Sequence, residues 1–374
     1  MRVLQVTERY PPAVGGVEGH VFGLARHLAS MGVDVGVLTT DLLSYRPFVR
    51  ARFPTPEEGV SRCGAYRLLP LPQGLGMVAP GMPALVRDAD IVHAHGYGRF
   101  PTFLVHACRA RGIPMVVTPH SAPGRRTLRK LLFDRVVPPL TIGLAQGVIA
   151  LTKTEASYLR SLGLSQRISV IPNGIDLDEF GAPPGGRQEG AMLFVGRLDV
   201  EEKGLDVALR ALAALARGGM DVKLRIMGPG PKDAGGRLRS MASALGVEGR
   251  LTVEGQPSRR ELVEAMRSSS VLVLPSRVES FGVVLLEAMA SGLPVVASRV
   301  GGVPEILDGV GLLCEPGDPA SLAERVRSVL EDARLALSMA GRGRERVSGY
   351  GWPGVAAKVL GVYREVLAGR AKQA

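Results

Sequence analysis

The chain has 374 residues, 46% hydrophobic and 22% charged, too long for one ordinary core and right for two folded domains of roughly 150–200 residues each. That balance excludes a disordered chain, and no apolar run approaches the roughly 20 residues that a bilayer-spanning helix needs. A net charge of +11, most of it carried by the N-terminal half, points to anionic partners (nucleoside diphosphates, anionic lipid or nucleic acid) without choosing among them.

From Met1 the chain runs straight into an apolar strand, Val3–Val6, with no cleavage site of small residues, so a cytoplasmic protein is expected. Val14-Gly15-Gly16-Val17-Glu18 follows and opens a helical stretch, Val17–Ser30. Glycines let backbone approach a ligand, and a helix N-terminus offers free N–H groups to an anion. A lone Gly-Gly is more often a tight turn, however. No Gly-x-Gly-x-x-Gly accompanies it, which argues against a dinucleotide-dependent dehydrogenase.

Further strand-length runs follow at Val33–Leu38, Ile91–His93, Met115–Thr118, Val148–Leu151 and Ile168–Ile171. His93 and His95 alternate at one strand end, where zinc is a minor alternative, and His120 comes just after another. Arg125 to Phe133 mixes cations with Leu128, Leu131, Leu132 and Phe133. As a helix it either lies on an anionic membrane surface or, the favoured reading, turns its apolar side to the core. Cys63, Cys108 and Cys314 lack metal-site spacing and read as small buried hydrophobes of a reducing compartment.

The Gly/Pro-rich stretch Gly181–Gly190 is the best linker. A second series of strands then appears: Met192–Val195, Leu224–Met227, Leu251–Val253, Val271–Leu274 and Pro294–Ala297. Helical spacing lies between them at Gly204–Ala216, Arg260–Ser268 and Gly282–Ala290. Near-continuous apolar strands alternating with helices predict parallel sheets covered on both faces. The expected architecture is α/β: two doubly wound, Rossmann-like domains facing across a cleft, at 1–177 and 178–352. An apolar C-terminal helix within 353–374 is expected to pack back on the first domain or to cap its own.

Ligands of such sheets sit beyond the carboxyl ends of the strands, and two more constellations join Gly15-Gly16 there. Arg197 leaves a strand and Lys203 starts the next helix, a plausible clamp for a diphosphate. Glu279 precedes a helix, after Pro275-Ser276-Arg277-Val278 and before Ser280-Phe281-Gly282-Val283. Glu287 lies eight residues on among Val284, Leu285, Leu286, Ala288 and Met289, where a carboxylate needs a partner.

The stretch from Glu279 to Glu287 resembles the Glu-x7-Glu motif of retaining GT-B glycosyltransferases of the family-four, group 1 type. Gly15-Gly16-Val17-Glu18, Thr118-Pro119-His120, Ile171-Pro172-Asn173-Gly174-Ile175-Asp176, Gly196-Arg197-Leu198, Glu202-Lys203-Gly204, Met227-Gly228-Pro229-Gly230-Pro231 and Gly301-Gly302-Val303-Pro304-Glu305 follow that family's order across nearly the whole chain. The resemblance implies transfer of a hexose, mannose or glucose, from a nucleoside diphosphate sugar to a glycan, lipid or polyol. It implies that Gly15 and Gly16 meet the donor phosphate, that Arg197 and Lys203 grip the diphosphate, and that Glu279 holds sugar hydroxyls beside the backbone of Ser280, Phe281, Gly282 and Val283. It likewise implies that Glu287 holds the ribose, that Glu254 borders the base, and that His120 lies near sugar and acceptor. His120, Arg197, Lys203 and Glu279 are then the catalytic set, with no cofactor and no metal required. A nucleotide-sugar epimerase on the same fold and a non-catalytic nucleic-acid-binding protein are the alternatives. The ordered motifs argue against the first, and 5% aromatic residues with no RNA-binding motif against the second.

Overall fold

The computed structural model describes residues 1–45, 48–51, 58–67, 77–97, 100–121, 128–181 and 186–371. It divides into two compact units, residues 1–174 with 352–374, and residues 175–351. The first unit is built from β1 (Arg2–Val6), α1 (Gly16–Ser30), β2 (Asp34–Thr40), β3 (Leu42–Tyr45), β4 (Phe48–Arg50), β5 (Val60–Cys63), β6 (Tyr66–Arg67) and β7 (Met77–Val78). It continues through α2 (Met82–Leu85), β8 (Ile91–His95), α3 (Phe100–Ala110), β9 (Met115–Thr118), α4 (Leu128–Leu140), β10 (Gly147–Ala150), α5 (Lys153–Ser161) and β11 (Ile168–Val170).

Seven of these strands pair in parallel in the order β11-β10-β9-β8-β1-β2-β5. The strand order reverses between β1 and β8, so the ligand crevice of such a sheet opens beyond the ends of those two strands. Side chains alternate between two cores. Met115 and Val117 pack with Leu104, Val105 and Leu159 from α3 and α5, whereas Val116, Ile149 and Val3 pack with Leu24 and Leu28 of α1. Both faces are covered, which is why these strands are apolar throughout.

The second unit holds α6 (Leu177–Phe180), β12 (Ala191–Val195), α7 (Leu205–Arg217), β13 (Lys223–Met227), α8 (Ala234–Ala244), β14 (Leu251–Glu254) and α9 (Arg259–Ser268). Then come β15 (Val271–Leu274), α10 (Val283–Ala290), β16 (Val295–Ser298), α11 (Val303–Leu307), β17 (Leu312–Cys314), α12 (Pro319–Glu331) and α13 (Ala333–Val347). Six parallel strands run β14-β13-β12-β15-β16-β17, reversing between β12 and β15.

The last helix, α14 (Trp352–Ala371), returns to the first unit. Val355, Val359, Leu360 and Tyr363 close the core over Val116 and Ile149, each full burial stabilising by about 1.5–3 kcal/mol. The Trp352 indole lies over Gly23 and Gly174, where a Cβ on either glycine would overlap the ring.

Helix starts separate into two kinds. Thr152 caps α5 through its side chain, and Ser258 with Glu261 forms a capping box on α9. The helices that follow β1, β12 and β15 begin instead after Gly15, Gly204 and Gly282, with no side-chain cap. In α7 the N–H groups of Leu205 and Val207 go to the Val200 and Gly204 carbonyls, and in α10 that of Leu285 goes to the Gly282 carbonyl. Gly204 has φ +65° and a Cβ there would run into the Pro275 carbonyl oxygen, so only glycine lets α7 start this close to the β15 edge.

Candidate functional site

At the reversal point of the second sheet, the Lys203 ammonium donates to Glu279 Oε2 at 2.8 Å, with both side chains nearly buried. The loop carrying Glu279 is braced by Arg277, which grips Asp206 of α7 with two bonds of 2.7 Å and also donates to the Glu201 carbonyl. Arg277 and Asp206 thus lock the loop after β15 to the start of α7 and fix the spacing between Lys203 and Glu279. Glu279 is followed by Ser280, by Phe281, which packs against Tyr350, and by Gly282 at φ +80° opening α10 at Val283.

Arg197 stands at the same edge, half exposed, donating to Glu202 at 2.6 Å. It does not meet Glu279 or Glu287 in a hydrogen bond or ion pair.

Glu287 is buried on α10, and its partner is Arg259, which donates to Oε1 at 2.7 Å. Burial pushes the Glu287 carboxyl up, and Arg259 opposes the shift. Arg259 also holds Glu179 at 2.7 Å and lies over the Phe180 ring at 4.5 Å. The sequence shows that Glu287 needs a partner but cannot say which, because Arg259 is 28 positions away on another helix. Glu254 ends the edge strand β14 with its carboxylate held by Arg225 through bonds of 2.7 and 2.9 Å.

The first sheet's reversal point is different in kind. Gly15 and Gly16 start α1, and a Cβ on Gly15 would overlap the Glu18 carboxylate, which Arg9 holds at 2.5 Å. A Cβ on Gly16 would meet nothing within 4 Å. His20 of α1, His95 at the end of β8 and His120 after β9 converge, one nitrogen of each lying within 4.8 Å of the others. Such a trio has the ligand types for a divalent ion, yet His95 Nδ1 and His120 Nε2 are hydrogen-bonded to each other at 3.1 Å. His120 sits at φ +53°, a left-handed conformation that costs an L-residue roughly 1–2 kcal/mol. Strain of this kind persists where surrounding structure dictates it, and functional sites are where it collects.

Burial pushes His20 down to about 4 and His93, His95 and His120 well below the usual histidine range, so all four are neutral near pH 7. Sequence reading missed His20, Gln5 and Tyr363 here. His20 lies within the glycine-led helix start and was readable as an inward-facing polar residue; the other two have no local signal.

The favoured expectation for the basic stretch is corrected by α4. Arg125, Arg126 and Thr127 lie outside the described residues, but Leu128, Leu131 and Leu132 are 73%, 61% and 58% exposed, with Val136 and Leu140 also exposed. Asp134 is buried on this helix, taken by Tyr97, Tyr158 and Lys130. The helix therefore turns Asp134 and Pro138 inward, with Phe133 against Tyr97, and leaves its leucines outside. No helix among the described residues is long and apolar enough to cross a membrane. The three cysteines are buried and free.

Comparison with known proteins identifies the family. Residues 14–179 match the family described as Glycosyltransferase Family 4, and residues 189–332 the family described as Glycosyl transferases group 1. The chain is 32% identical to D-inositol 3-phosphate glycosyltransferase 1 of Catenulispora acidiphila, over 95% of this chain and 92% of that protein. It is 33% identical to the phosphatidyl-myo-inositol mannosyltransferase of Mycobacterium leprae, over 94% of this chain and 93% of that protein. Among solved structures, the Anabaena protein HepE in complex with UDP and glucose superposes with a TM-score of 0.78 at 20% identity, covering 98% of this chain and 100% of that one.

Proposed function

Because the chain belongs to the group 1, family-four glycosyltransferases, an enzyme family of the GT-B fold, we propose that it transfers a hexose, mannose or glucose, from a nucleoside diphosphate sugar to a glycan, lipid or polyol, with retention of configuration. The observation that carries this reading is the Lys203–Glu279 pair beside the uncapped start of α10. A nucleoside diphosphate leaves with growing negative charge, which an adjacent ammonium and free helix N–H groups stabilise. Arg197, at the same edge and half exposed, is available to the diphosphate. Lys203 and Glu279 satisfy one another, so neither near-buried charge is left uncompensated.

Glu279 is assigned to sugar hydroxyls, with the backbone of Ser280, Phe281, Gly282 and Val283 alongside. Glu287 is assigned to the ribose diol, oriented by Arg259. Since Arg225 already holds both Glu254 oxygens, it is the backbone at Glu254 that is assigned to the base. In the first unit, Gly15 and Gly16 are assigned to phosphate through backbone N–H groups and His120 to the sugar and acceptor. Retention proceeds by same-face substitution: the bond from the anomeric carbon to the leaving oxygen breaks, the acceptor oxygen bonds to that carbon, and the departing phosphate takes the acceptor proton. UDP and glucose in the HepE complex support a nucleotide sugar as donor. The name of the M. leprae relative supports an inositol lipid among the acceptors to try.

Incubation with UDP-, GDP- and ADP-sugars tests the reading. Acceptor-dependent release of nucleoside diphosphate is expected from one of them, and full activity of both Lys203→Ala and Glu279→Ala would refute the assignment. The exposed leucines of α4 among basic residues support a peripheral place on anionic membranes. Vesicles containing anionic lipid should retain the protein at low salt, and failure to bind them would remove that part of the proposal.

A further inference from the structure

His120 ends a continuous chain of buried hydrogen bonds whose other members lie on β1, β8, β9 and the C-terminal helix. Gln5 Nε2 donates to the Tyr363 hydroxyl at 2.9 Å, and Gln5 Oε1 faces His95 Nε2 at 2.8 Å. The Tyr363 hydroxyl lies 2.6 Å from His93 Nδ1, and His93 Nε2 lies 2.8 Å from Thr118 Oγ1. Gln5, His93, His95, Thr118 and Tyr363 are all at most 1% exposed. Protons in such a closed chain are not free to choose their places, because each donor must face an acceptor.

An amide oxygen can only accept, so His95 carries its proton on Nε2 and donates it to Gln5. His95 is neutral, held there by burial, so its Nδ1 can only accept. His120 must then donate from Nε2 across the 3.1 Å contact. A neutral His120 protonated on Nε2 keeps a lone pair on Nδ1, and that nitrogen makes no hydrogen bond among the described residues. At the other end, Tyr363 accepts from Gln5 and so gives its own proton to His93 Nδ1, leaving His93 to donate from Nε2 to Thr118. Each contact of the chain then pairs a donor with an acceptor, and its direction is set by the Gln5 amide.

We propose that Gln5, His95 and Tyr363 are positioning residues that hold the His120 imidazole in its Nε2-protonated form, presenting Nδ1 as a hydrogen-bond acceptor for a ligand hydroxyl. The catalytic consequence rests on the reading of His120 given above; the proton arrangement does not. A hydroxyl-bearing ligand, sugar or polyol, is the chemistry such an acceptor recognises, and an anionic group is what it repels. Tyr363 makes the last helix of the chain part of this arrangement, although that residue touches neither His120 nor any assigned ligand group.

Proton–nitrogen correlation spectra of full-length protein labelled with nitrogen-15 histidine read each tautomer directly. In the wild type, His95 and His120 should both be neutral with the proton on Nε2 throughout pH 6–8, an interval about which a free imidazole would titrate. Tyr363→Phe and Gln5→Leu should each convert the His120 signal to a mixture of tautomers and lower kcat/KM about tenfold, as expected from one misdirected hydrogen bond. Gln5→Leu puts an apolar side chain beside two buried polar groups and is the variant at risk of misfolding; Tyr363→Phe removes one oxygen and keeps the measurement open. A His120 proton on Nδ1 overturns the inference, since it means the Gln5 amide faces the other way and every proton in the chain is reversed. An unchanged His120 tautomer in both variants overturns it as well. So does a stoichiometric zinc ion bound by His20, His95 and His120, because His120 Nε2 could not then carry a proton. Should His120→Ala retain full transfer while the tautomer shifts appear, the role of His120 falls and the positioning chain stands.

Discussion

The two units place their candidate residues at the same point of the same kind of sheet, beyond the strand ends where the order reverses, but with opposite electrostatic designs. The second unit uses full charges already matched to one another, Lys203 with Glu279, Arg259 with Glu287 and Arg277 with Asp206. The first uses neutral groups, His20, His93, His95 and His120 with Gln5 and Tyr363, kept uncharged by burial. A matched ion pair can loosen toward a charged ligand without leaving a bare charge behind. A neutral network recognises donors and acceptors and rejects charge. The fold sets where chemistry happens; the pairing of charges sets which chemistry suits each place.

The sharpest break in this contrast is Glu279→Ala. Removing it should lower transfer about 100- to 1,000-fold, the usual cost of losing one preorganised charged or donor group, measured as nucleoside diphosphate release. The comparable change in the first unit, Tyr363→Phe, should cost far less, so equal losses would erase the distinction.

Acid separates the units next. Histidines charge at about pH 6.5 when unfolded, but here burial holds His20 at about 4 and its three neighbours well below the usual histidine range. The unfolded chain therefore binds more protons in between, and their contribution is complete above pH 6.5 and lost as pH falls toward 4. Glu155 works the other way, since burial raises it to about 7, so its contribution is present below about 4.5 and lost as pH rises to 7. Four groups against one predict that the first unit melts at lower temperature as pH drops from 6.5 to 4. A scan in which His20→Asn fails to flatten that drop would count against it.

Arg259→Ala is the third test. It strands the buried Glu287 carboxylate and should cost about 1–2 kcal/mol, less than for a fully buried pair because Arg259 is 49% exposed to screening solvent. Restored stability in the double variant with Glu287→Gln would confirm that the loss is electrostatic. The smallest effect belongs to the strained residue. His120→Gly should be about 1 kcal/mol more stable than His120→Ala, because glycine accepts φ +53° freely, while both lose the imidazole alike.

Much of the fold was readable because parallel strands buried on both faces are apolar throughout. Val271–Leu274 and Met115–Thr118 announce themselves. Val60–Cys63 and Leu312–Cys314 did not: both are short edge strands, and the first carries Ser61 and Arg62. In the candidate site, Arg197, Lys203 and Glu279 stood out as charges beside strand ends, and Glu287 as a carboxylate among apolar helix residues. Their partners did not, since an ion pair between helices such as Arg259 with Glu287 leaves no trace in either local pattern. Gln5 and Tyr363 are 358 positions apart, and only the folded chain joins them. The basic segment failed for another reason: counting apolar positions along α4 shows an amphipathic helix but not which side faces inward, and Asp134 decided that.

The path of the chain has a consequence for synthesis. Residues 175–351 form a contiguous unit that can fold as soon as it leaves the ribosome, while the first unit lacks Val355, Val359, Leu360 and Tyr363 until α14 emerges. The half made first is thus finished last. A polypeptide cut short just after the second unit would leave uncovered the part of its opening sheet, around Val116 and Ile149, that α14 closes.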